Sequence, residues 1–159
     1  EAQLDRFLFK LEIEMPNADD LARILSATTG LARDEEPPSM SRARLLRLQG
    51  LVREVPAPSS VVEKVAAIVL ATHPSSESAP DVIRKFLRYG ASLRAGQAIL
   101  LASKARALLA DRLHVSEADV RAVARPALRH RLIPSYEGEA SGVRRDDLID
   151  AVVERVLPS

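Results

Sequence analysis

Apolar residues recur at the three- and four-residue spacing of an α-helix along most of the chain, and this periodicity constrains the fold most strongly. Asn17, Ser92 and Ser116 stand where helices would begin, and Ser60–Glu63 fits a capping box. Aromatic residues make up only 3% of the chain, so its apolar content is mostly Ala, Leu and Val, which favours helices. The pattern predicts seven helices, at about residues 17–30, 41–53, 60–73, 78–90, 93–112, 116–131 and 146–156.

The segments between these helices are predicted to be loops. Residues 32–40 read ARDEEPPSM, which is polar and contains two prolines, and residues 134–142 form a second loop. Pro126 lies inside the helix predicted for residues 116–131, where it predicts a kink.

The beginning of the chain has a different pattern. Apolar and charged residues alternate imperfectly over Phe7–Met15, which predicts a β-strand. A single strand cannot satisfy its own backbone, and no second convincing strand lies nearby. We therefore expect this chain to be a piece of a longer protein, cut at Glu1, whose missing part holds the partner strands. In this chain alone, Glu1–Met15 is expected to be poorly anchored or to pair with another copy.

Composition excludes several classes of function. The 159 residues carry a formal net charge of +1, which gives no bulk attraction to nucleic acid or to an anionic membrane. The absence of Cys excludes disulfides, thiol catalysis and cysteine metal sites, and fits a reducing compartment such as the cytoplasm. No apolar run approaches the roughly 20 residues of a membrane-spanning helix.

The chain shows no local catalytic set. The six glycines are scattered and form no phosphate-binding loop. The histidines are not spaced as a metal-binding pair, so we interpret them as surface or capping residues and predict no metal site; they are His73, His114 and His130. Paired carboxylates are interpreted as helix-dipole and solubility charges; they are Asp19-Asp20, Glu35-Glu36 and Asp146-Asp147.

Arginine is the informative residue type, since it supplies 19 of the 23 basic side chains. Arg121, Arg125 and Arg129 share one helix face, with Glu117 one turn earlier. This stripe is either a solvated face with one local ion pair or a surface that binds anions or another subunit. Arg94 lies in the first turn of a helix, where backbone N–H groups, the helix dipole and a guanidinium together would bind phosphate.

Three segments resemble the MoxR family of AAA+ ATPases. EAQLDRFLF, at residues 1–9, resembles the segment that follows the second half of the ATPase core. RYGASLRAGQAILLASKARALLADR, at residues 88–112, resembles the lid helix that carries the sensor-2 arginine, and VSEADVRAVARPALRHRL, at residues 115–132, resembles the next lid helix. The three segments occur in the family's order and spacing, and the resemblance extends from Glu1 to about Pro158.

The resemblance implies a mainly α fold: an AAA+ lid-type helical bundle preceded by one core β-strand. Residues 1–16 would be the last segment of the core, and residues 17–159 the α-helical lid domain. Arg6 matches the arginine finger, which acts in trans on a nucleotide bound by the neighbouring subunit. Arg94 matches the sensor-2 arginine, which touches the γ-phosphate in its own subunit, with Ser92 beside it. Asp5 matches an acidic residue that orients the subunit interface.

The chain departs from the family pattern at several positions. Leu93 stands where Pro is usual, Asp111 replaces a common Gly, and Arg144 replaces a capping Ser or Thr. No Walker A loop, Walker B acids or sensor-1 Asn occur here. The residues that bind ATP and Mg²⁺ are therefore expected upstream, and the chain alone should not hydrolyse ATP.

The function implied is that of the C-terminal part of a MoxR-like ATPase. The full-length protein would bind ATP and Mg²⁺ in a homo-oligomer, expected to be a hexameric ring, and act as a chaperone-like remodeller with a von Willebrand factor A domain protein. One alternative is a helical nucleic-acid-binding module that uses the stripe formed by Arg121, Arg125 and Arg129. Near-zero net charge and the lack of an aromatic platform count against it. Another alternative is a helical adaptor.

Overall fold

The computed structural model describes residues 3–30 and 39–158. Within these residues a 3₁₀ turn at Leu4–Arg6 precedes eight helices and two short strands. The helices are α1 (Ala18–Thr28), α2 (Arg42–Glu54), α3 (Ser59–Ala71), α4 (Asp81–Phe86), α5 (Leu93–Leu109), α6 (Glu117–Leu128), α7 (Tyr136–Ser141) and α8 (Arg145–Val156). The strands are β1 (Leu87–Tyr89) and β2 (Ile133–Pro134). The predicted mainly α fold class is confirmed. Most of the loop predicted for residues 32–40 lies outside the described residues.

The core is built around α5, which packs against α2, α3 and α6, while α8 closes the bundle against α3 and α6. The buried face of α5 consists mostly of Ala, whose small side chain lets neighbouring helices approach closely. Larger aliphatic side chains from the surrounding helices fill the space between them: Val61, Val65 and Ile68 of α3, Val120 and Leu128 of α6, and Leu148, Ile149 and Val152 of α8.

The helix predicted for residues 78–90 is shorter than expected because its end joins a small ribbon. β1 pairs antiparallel with β2, with Leu87 opposite Pro134. The predicted loop 134–142 is also corrected, since most of it forms α7, whose Gly138 amide is capped by the Ser135 hydroxyl. Gly138 is needed there, because a Cβ would lie 2.3 Å from the Phe86 carbonyl oxygen.

The first residues also differ from expectation. Phe7–Met15 forms no strand, because the described residues offer it no partner strand. The expectation of poor anchoring is wrong for residues 5–10, which bind the end of α6. The Lys10 amide, for example, donates to the Pro126 carbonyl over 2.9 Å. Glu1 and Ala2 lie outside the described residues.

Most of the predicted helix caps are confirmed. Asn17 accepts a hydrogen bond from the Asp20 amide, and Ser116 forms a capping box with Asp119. The capping box predicted at Ser60–Glu63 is wrong, since α3 begins one residue earlier behind Pro58 and has no side-chain cap.

The capping box at Ser116 belongs to an ion-pair cluster around a buried carboxylate. Asp119 is only 1% exposed and receives both terminal nitrogens of Arg112 at 2.5 Å. Arg106 Nε lies 3.3 Å from the same carboxylate, and the Ser116 amide and hydroxyl also donate to it. The hydrogen bonds from Arg112 hold the pKa of Asp119 well below its usual range. Asp119 therefore stabilises the junction between α5 and α6 while it is ionised.

Two turns require left-handed backbone. Gly142, after α7, has φ of 69°, and Asp111, after α5, has φ of 53°. The second value gives a physical reason for the Gly that the family resemblance expects where this chain has Asp111. A side chain at such a position costs conformational energy, although Asp tolerates it better than most residues.

We predict that Asp119→Asn lowers the free energy of unfolding by about 2 kcal/mol near neutral pH, because the half-exposed Arg112 loses a charged hydrogen-bond partner. The folded-state pKa lies below the ordinary 3.8, so this stabilisation is complete above that pH and disappears as the pH falls further. The variant should therefore lose less stability than the wild type below pH 3.8. Urea unfolding at several pH values measures both effects. Asp147→Asn, which removes an exposed pair with Arg144, should change stability much less.

We also predict that three substitutions at turn and helix positions change the free energy of unfolding, with opposite signs at two glycines. Gly142→Ala should destabilise the chain by about 1 kcal/mol, because Ala disfavours positive φ. Gly50→Ala, inside α2 with no atom near the added methyl group, should stabilise it by a similar amount. Asp111→Gly should be stabilising by about 0.5 kcal/mol. Equal effects of the two Ala substitutions in urea unfolding would contradict the assigned backbone at Gly142.

Candidate functional site

The carboxylate of Asp5 joins three parts of the structure. The Ser92 hydroxyl donates to its two oxygens over 3.1 and 3.0 Å, and Arg94 Nε lies 3.8 Å away. From the other side, Arg131 Nε donates to it over 3.0 Å. Three of the predicted site residues, Asp5, Ser92 and Arg94, are therefore brought together, although Asp5 is separated from Ser92 by 87 positions.

The turn before α5 holds Ser92 and Arg94 in place. The Ala91 amide donates to the Thr72 hydroxyl over 2.9 Å, and Thr72 is fully buried. A Cβ on Gly90 would lie 2.6 Å from the Thr72 carbonyl oxygen, so only Gly fits this approach. The Ser92 hydroxyl then caps α5 by accepting from the Arg94 amide over 3.2 Å. Leu93, which replaces the usual Pro, does not prevent this capped start.

Arg6 is next to the cluster but is not part of it. Its side chain is exposed, and its guanidinium makes no hydrogen bond or ion pair to any residue that the structure describes. Its backbone lies in the 3₁₀ turn, where the Arg6 amide donates to the Gln3 carbonyl over 3.3 Å. An open cleft of about 580 Å³ lies beside this turn and is lined by Asp5, Ser92 and Arg131 among others. Arg6 therefore differs from Arg94 and Arg131, which both pair with Asp5, because it has no partner among residues 3–30 and 39–158.

Arg131, just beyond α6, is the site residue that sequence reasoning missed. It is only 7% exposed. Its guanidinium donates to the carbonyls of Asp5, Phe7 and Leu8 and to the Ala127 carbonyl of α6. Burial lowers its pKa, and the Asp5 carboxylate opposes this shift. The available signal was a charged residue between two apolar core positions, Leu128 and Leu132.

His130 supports the same contact. Its Nε2 lies 3.0 Å from the Phe7 carbonyl oxygen and must donate to it, since a carbonyl only accepts. Burial lowers the pKa of His130, which favours the neutral ring. His130 is therefore a contact between α6 and the first residues of the chain, rather than the surface or helix-capping residue that was predicted.

The arginine stripe on α6 is a contact between two helices. Each of its members pairs with an acidic residue of α8: Arg121 with Glu154 at 2.8 Å, Arg125 with Asp150 at 2.5 Å and Arg129 with Asp146 at 2.6 Å. Glu117, predicted to pair within the stripe, instead contacts Lys64 at 2.5 Å. Carboxylates already neutralise the three guanidinium groups, so the anion-binding interpretation of this stripe is not supported. The structure favours neither the nucleic-acid-binding nor the adaptor alternative.

Within residues 3–30 and 39–158, no group of three or more His, Asp or Glu side chains could hold a metal ion. No helix in the same part of the chain is both long enough and apolar enough to cross a membrane.

Comparison with known proteins agrees with this architecture. Residues 81–152, from α4 into α8, match the family model of the AAA lid domain. The chain is 30% identical over 156 residues to the chaperone MoxR1 of Mycobacterium tuberculosis, covering 98% of this chain and 41% of that protein. It is also 30% identical to the uncharacterized protein YeaC of Bacillus subtilis, covering 98% of this chain and 46% of that protein.

A solved structure has the same fold. The crystal structure of a candidate ATPase from Cytophaga hutchinsonii superimposes with a TM-score of 0.87 at 24% identity, over 97% of this chain and 47% of that one. The chain thus spans less than half the length of each of these relatives. The lid-domain match and the similarity to a MoxR chaperone, which extends over nearly all of the chain, together support its identification as a C-terminal portion of a MoxR-like AAA+ protein that contains the helical lid domain.

Proposed function

We propose that this chain supplies Arg6 and Arg94 to an ATP-hydrolysing site formed between subunits of an assembled AAA+ ATPase. The observation that carries the proposal is the group of donors at the start of α5, where the Ser92 hydroxyl donates to the Asp5 carboxylate and Arg94 lies 3.8 Å from it. Unlike the closely paired arginines of the α6 stripe, Arg94 is 57% exposed and makes no hydrogen bond to this carboxylate, so the start of the helix and its guanidinium can accept a phosphate. Arg6, exposed and without a partner among the described residues, follows Asp5 in the chain.

The chemistry of phosphoryl transfer fits such a contribution. The reaction needs little covalent participation by the protein and depends on positive charge placed against the developing anion. Arg6 would act as the arginine finger and Arg94 as the sensor-2 arginine. The catalytic lysine and the ligands of Mg²⁺, which neutralises phosphate charge when bound, would come from residues outside this chain.

We further propose that Arg94 contacts the nucleotide bound by its own subunit, as the family resemblance implies, whereas Arg6 reaches the nucleotide of the neighbouring subunit. Arg94 lies 3.8 Å from the Asp5 carboxylate, and its side chain is 57% exposed, so it can turn towards a phosphate.

For the full-length protein, we propose a homo-oligomeric, hexameric ring that acts as a chaperone-like remodeller in the cytoplasm. Similarity to a protein named as a chaperone supports this activity. A von Willebrand factor A domain protein is the proposed partner. Asp5 is proposed to orient the interface between subunits through its contacts with Ser92 and Arg94.

The proposed role of Arg6 is tested by Arg6→Ala in the intact ATPase. Turnover should fall about 10³-fold or more, because a finger stabilises the transition state, while ATP affinity should stay within a few-fold. Steady-state hydrolysis and nucleotide titration measure the two effects. Mixing with subunits that lack the catalytic lysine should restore part of the activity, since a mixed interface combines an intact site with an intact finger. Normal turnover by an assembled Arg6→Ala ring would contradict the assignment.

The proposed role of Arg94 is tested by Arg94→Ala in the intact ATPase. ATP affinity should fall about 10- to 100-fold, the loss expected for a charged hydrogen bond worth roughly 1.5–3 kcal/mol, and ATP and ADP affinities should converge. Mixing with lysine-deficient subunits should not recover hydrolysis, in contrast to Arg6→Ala, because Arg94 and the catalytic lysine act at the site of the same subunit. Recovery with Arg94→Ala as well would place the Arg94 contact in the neighbouring subunit.

Arg88→Ala is the matched control for Arg94→Ala. Arg88 is an exposed arginine close to Arg94 in sequence, and its guanidinium lies 5.1 Å from the centre of the Tyr89 ring. It should change nucleotide affinity little. Arg106 is a poor control because it pairs with the buried Asp119. Nucleotide affinities and turnover of Arg94→Ala that match the wild type would remove Arg94 from the site.

A further inference from the structure

Arg131, just beyond α6, binds the backbone on both sides of Arg6. Arg131 donates from Nη2 to the Asp5 carbonyl over 2.9 Å and to the Phe7 carbonyl over 2.7 Å. Its Nη1 donates to the Leu8 carbonyl over 3.3 Å. These carbonyls belong to the residue before Arg6 and to the two residues after it. A single side chain therefore contacts the backbone on both sides of Arg6.

All five N–H groups of Arg131 are used in this arrangement. Three bind the carbonyls that flank Arg6, one binds the Asp5 carboxylate, and the last binds the Ala127 carbonyl of α6. A guanidinium that is only 7% exposed needs such complete pairing, because each unsatisfied buried donor is costly. The planar fork also fixes the direction of each bond, which an ammonium group does not do.

Two further contacts come from the same end of α6. His130 Nε2 donates to the Phe7 carbonyl over 3.0 Å, and the Lys10 amide donates to the Pro126 carbonyl over 2.9 Å. The Arg6 side chain itself has no partner among the described residues. Its guanidinium is therefore free to meet a ligand while the backbone that carries it is held on both sides.

We propose that Arg131 is a positioning residue for the arginine finger: it holds the turn around Arg6 against the lid, so that the direction of the finger depends on the lid. The inference rests on the proposed role of Arg6. Arg131 and Arg94 bind the same Asp5 carboxylate, so the turn around Arg6 is also held at a fixed distance from the start of α5. A movement of α6 would carry Arg6 with it.

Arg131→Lys in the intact ATPase tests the proposal. Lys keeps the positive charge but has three donors on a point charge and cannot bridge the three carbonyls. We expect kcat for ATP hydrolysis to fall about 10- to 100-fold, the effect of a small misplacement of a catalytic group, with KM for ATP within about threefold. The double variant Arg131→Lys/Arg6→Ala should be no slower than Arg6→Ala alone, because Arg131 acts through Arg6.

Arg112→Lys is the matched control. Arg112 is another lid arginine in a network with a buried carboxylate, that of Asp119, but it does not contact residues 5–10. It should leave kcat within about threefold of the wild type. Amide hydrogen exchange by mass spectrometry should become faster in residues 4–10 of Arg131→Lys and stay unchanged there in Arg112→Lys. If Arg131→Lys does not assemble, Arg131→Gln replaces it with the same expected results.

The outcomes separate this inference from the proposed function. Wild-type kcat in assembled Arg131→Lys, with low kcat in Arg6→Ala, overturns the positioning role alone. A multiplicative loss in the double variant overturns it as well, since it would mean that Arg131 acts independently of Arg6. Wild-type turnover in Arg6→Ala overturns both the finger assignment and the positioning role.

Discussion

The close approach of α5 to its neighbours is the contact on which the rest of the structure depends. Its buried face is mostly Ala, so the distance between helices is set by small side chains and filled by aliphatic residues of α3 and α6. This packing fixes the first turn of α5, where Ser92 and Arg94 lie. The buried Thr72, which holds the Ala91 amide, ties the same turn to the end of α3. The position of the candidate site is therefore a consequence of core packing.

Buried charge is placed at the two ends of α6. Asp119 in its first turn and Arg131 just after its last turn are the two buried charged residues among those the structure describes. Each sign matches the helix dipole at its end. Asp119 binds the segment after α5 through Arg112, and Arg131 binds the first residues of the chain. The same helix thus contacts the segment after α5 at one end and the 3₁₀ turn that contains Arg6 at the other.

The abundance of arginine has a structural explanation within the lid. The stripe on α6 faces a matching row of carboxylates on α8, which runs past it so that successive turns pair with one another. The pair Arg129–Asp146 is the least exposed of the three and should contribute most, since exposed pairs contribute little. These three arginines therefore serve the packing of two helices.

Local sequence was sufficient for most of the helices and of their caps, because periodicity and N-cap chemistry involve residues three or four positions apart, but it missed α7 and misplaced the cap of α3. With the family resemblance, it named Asp5, Arg6, Ser92 and Arg94 as candidates. Tertiary structure alone decided that Asp5, Ser92 and Arg94 meet. The Arg131 contact with Asp5 spans 126 positions, and the pairing of β1 with β2 ended a helix that periodicity had extended to Gly90. Such contacts depend on how helices pack in three dimensions, and no short-range pattern in the chain encodes them.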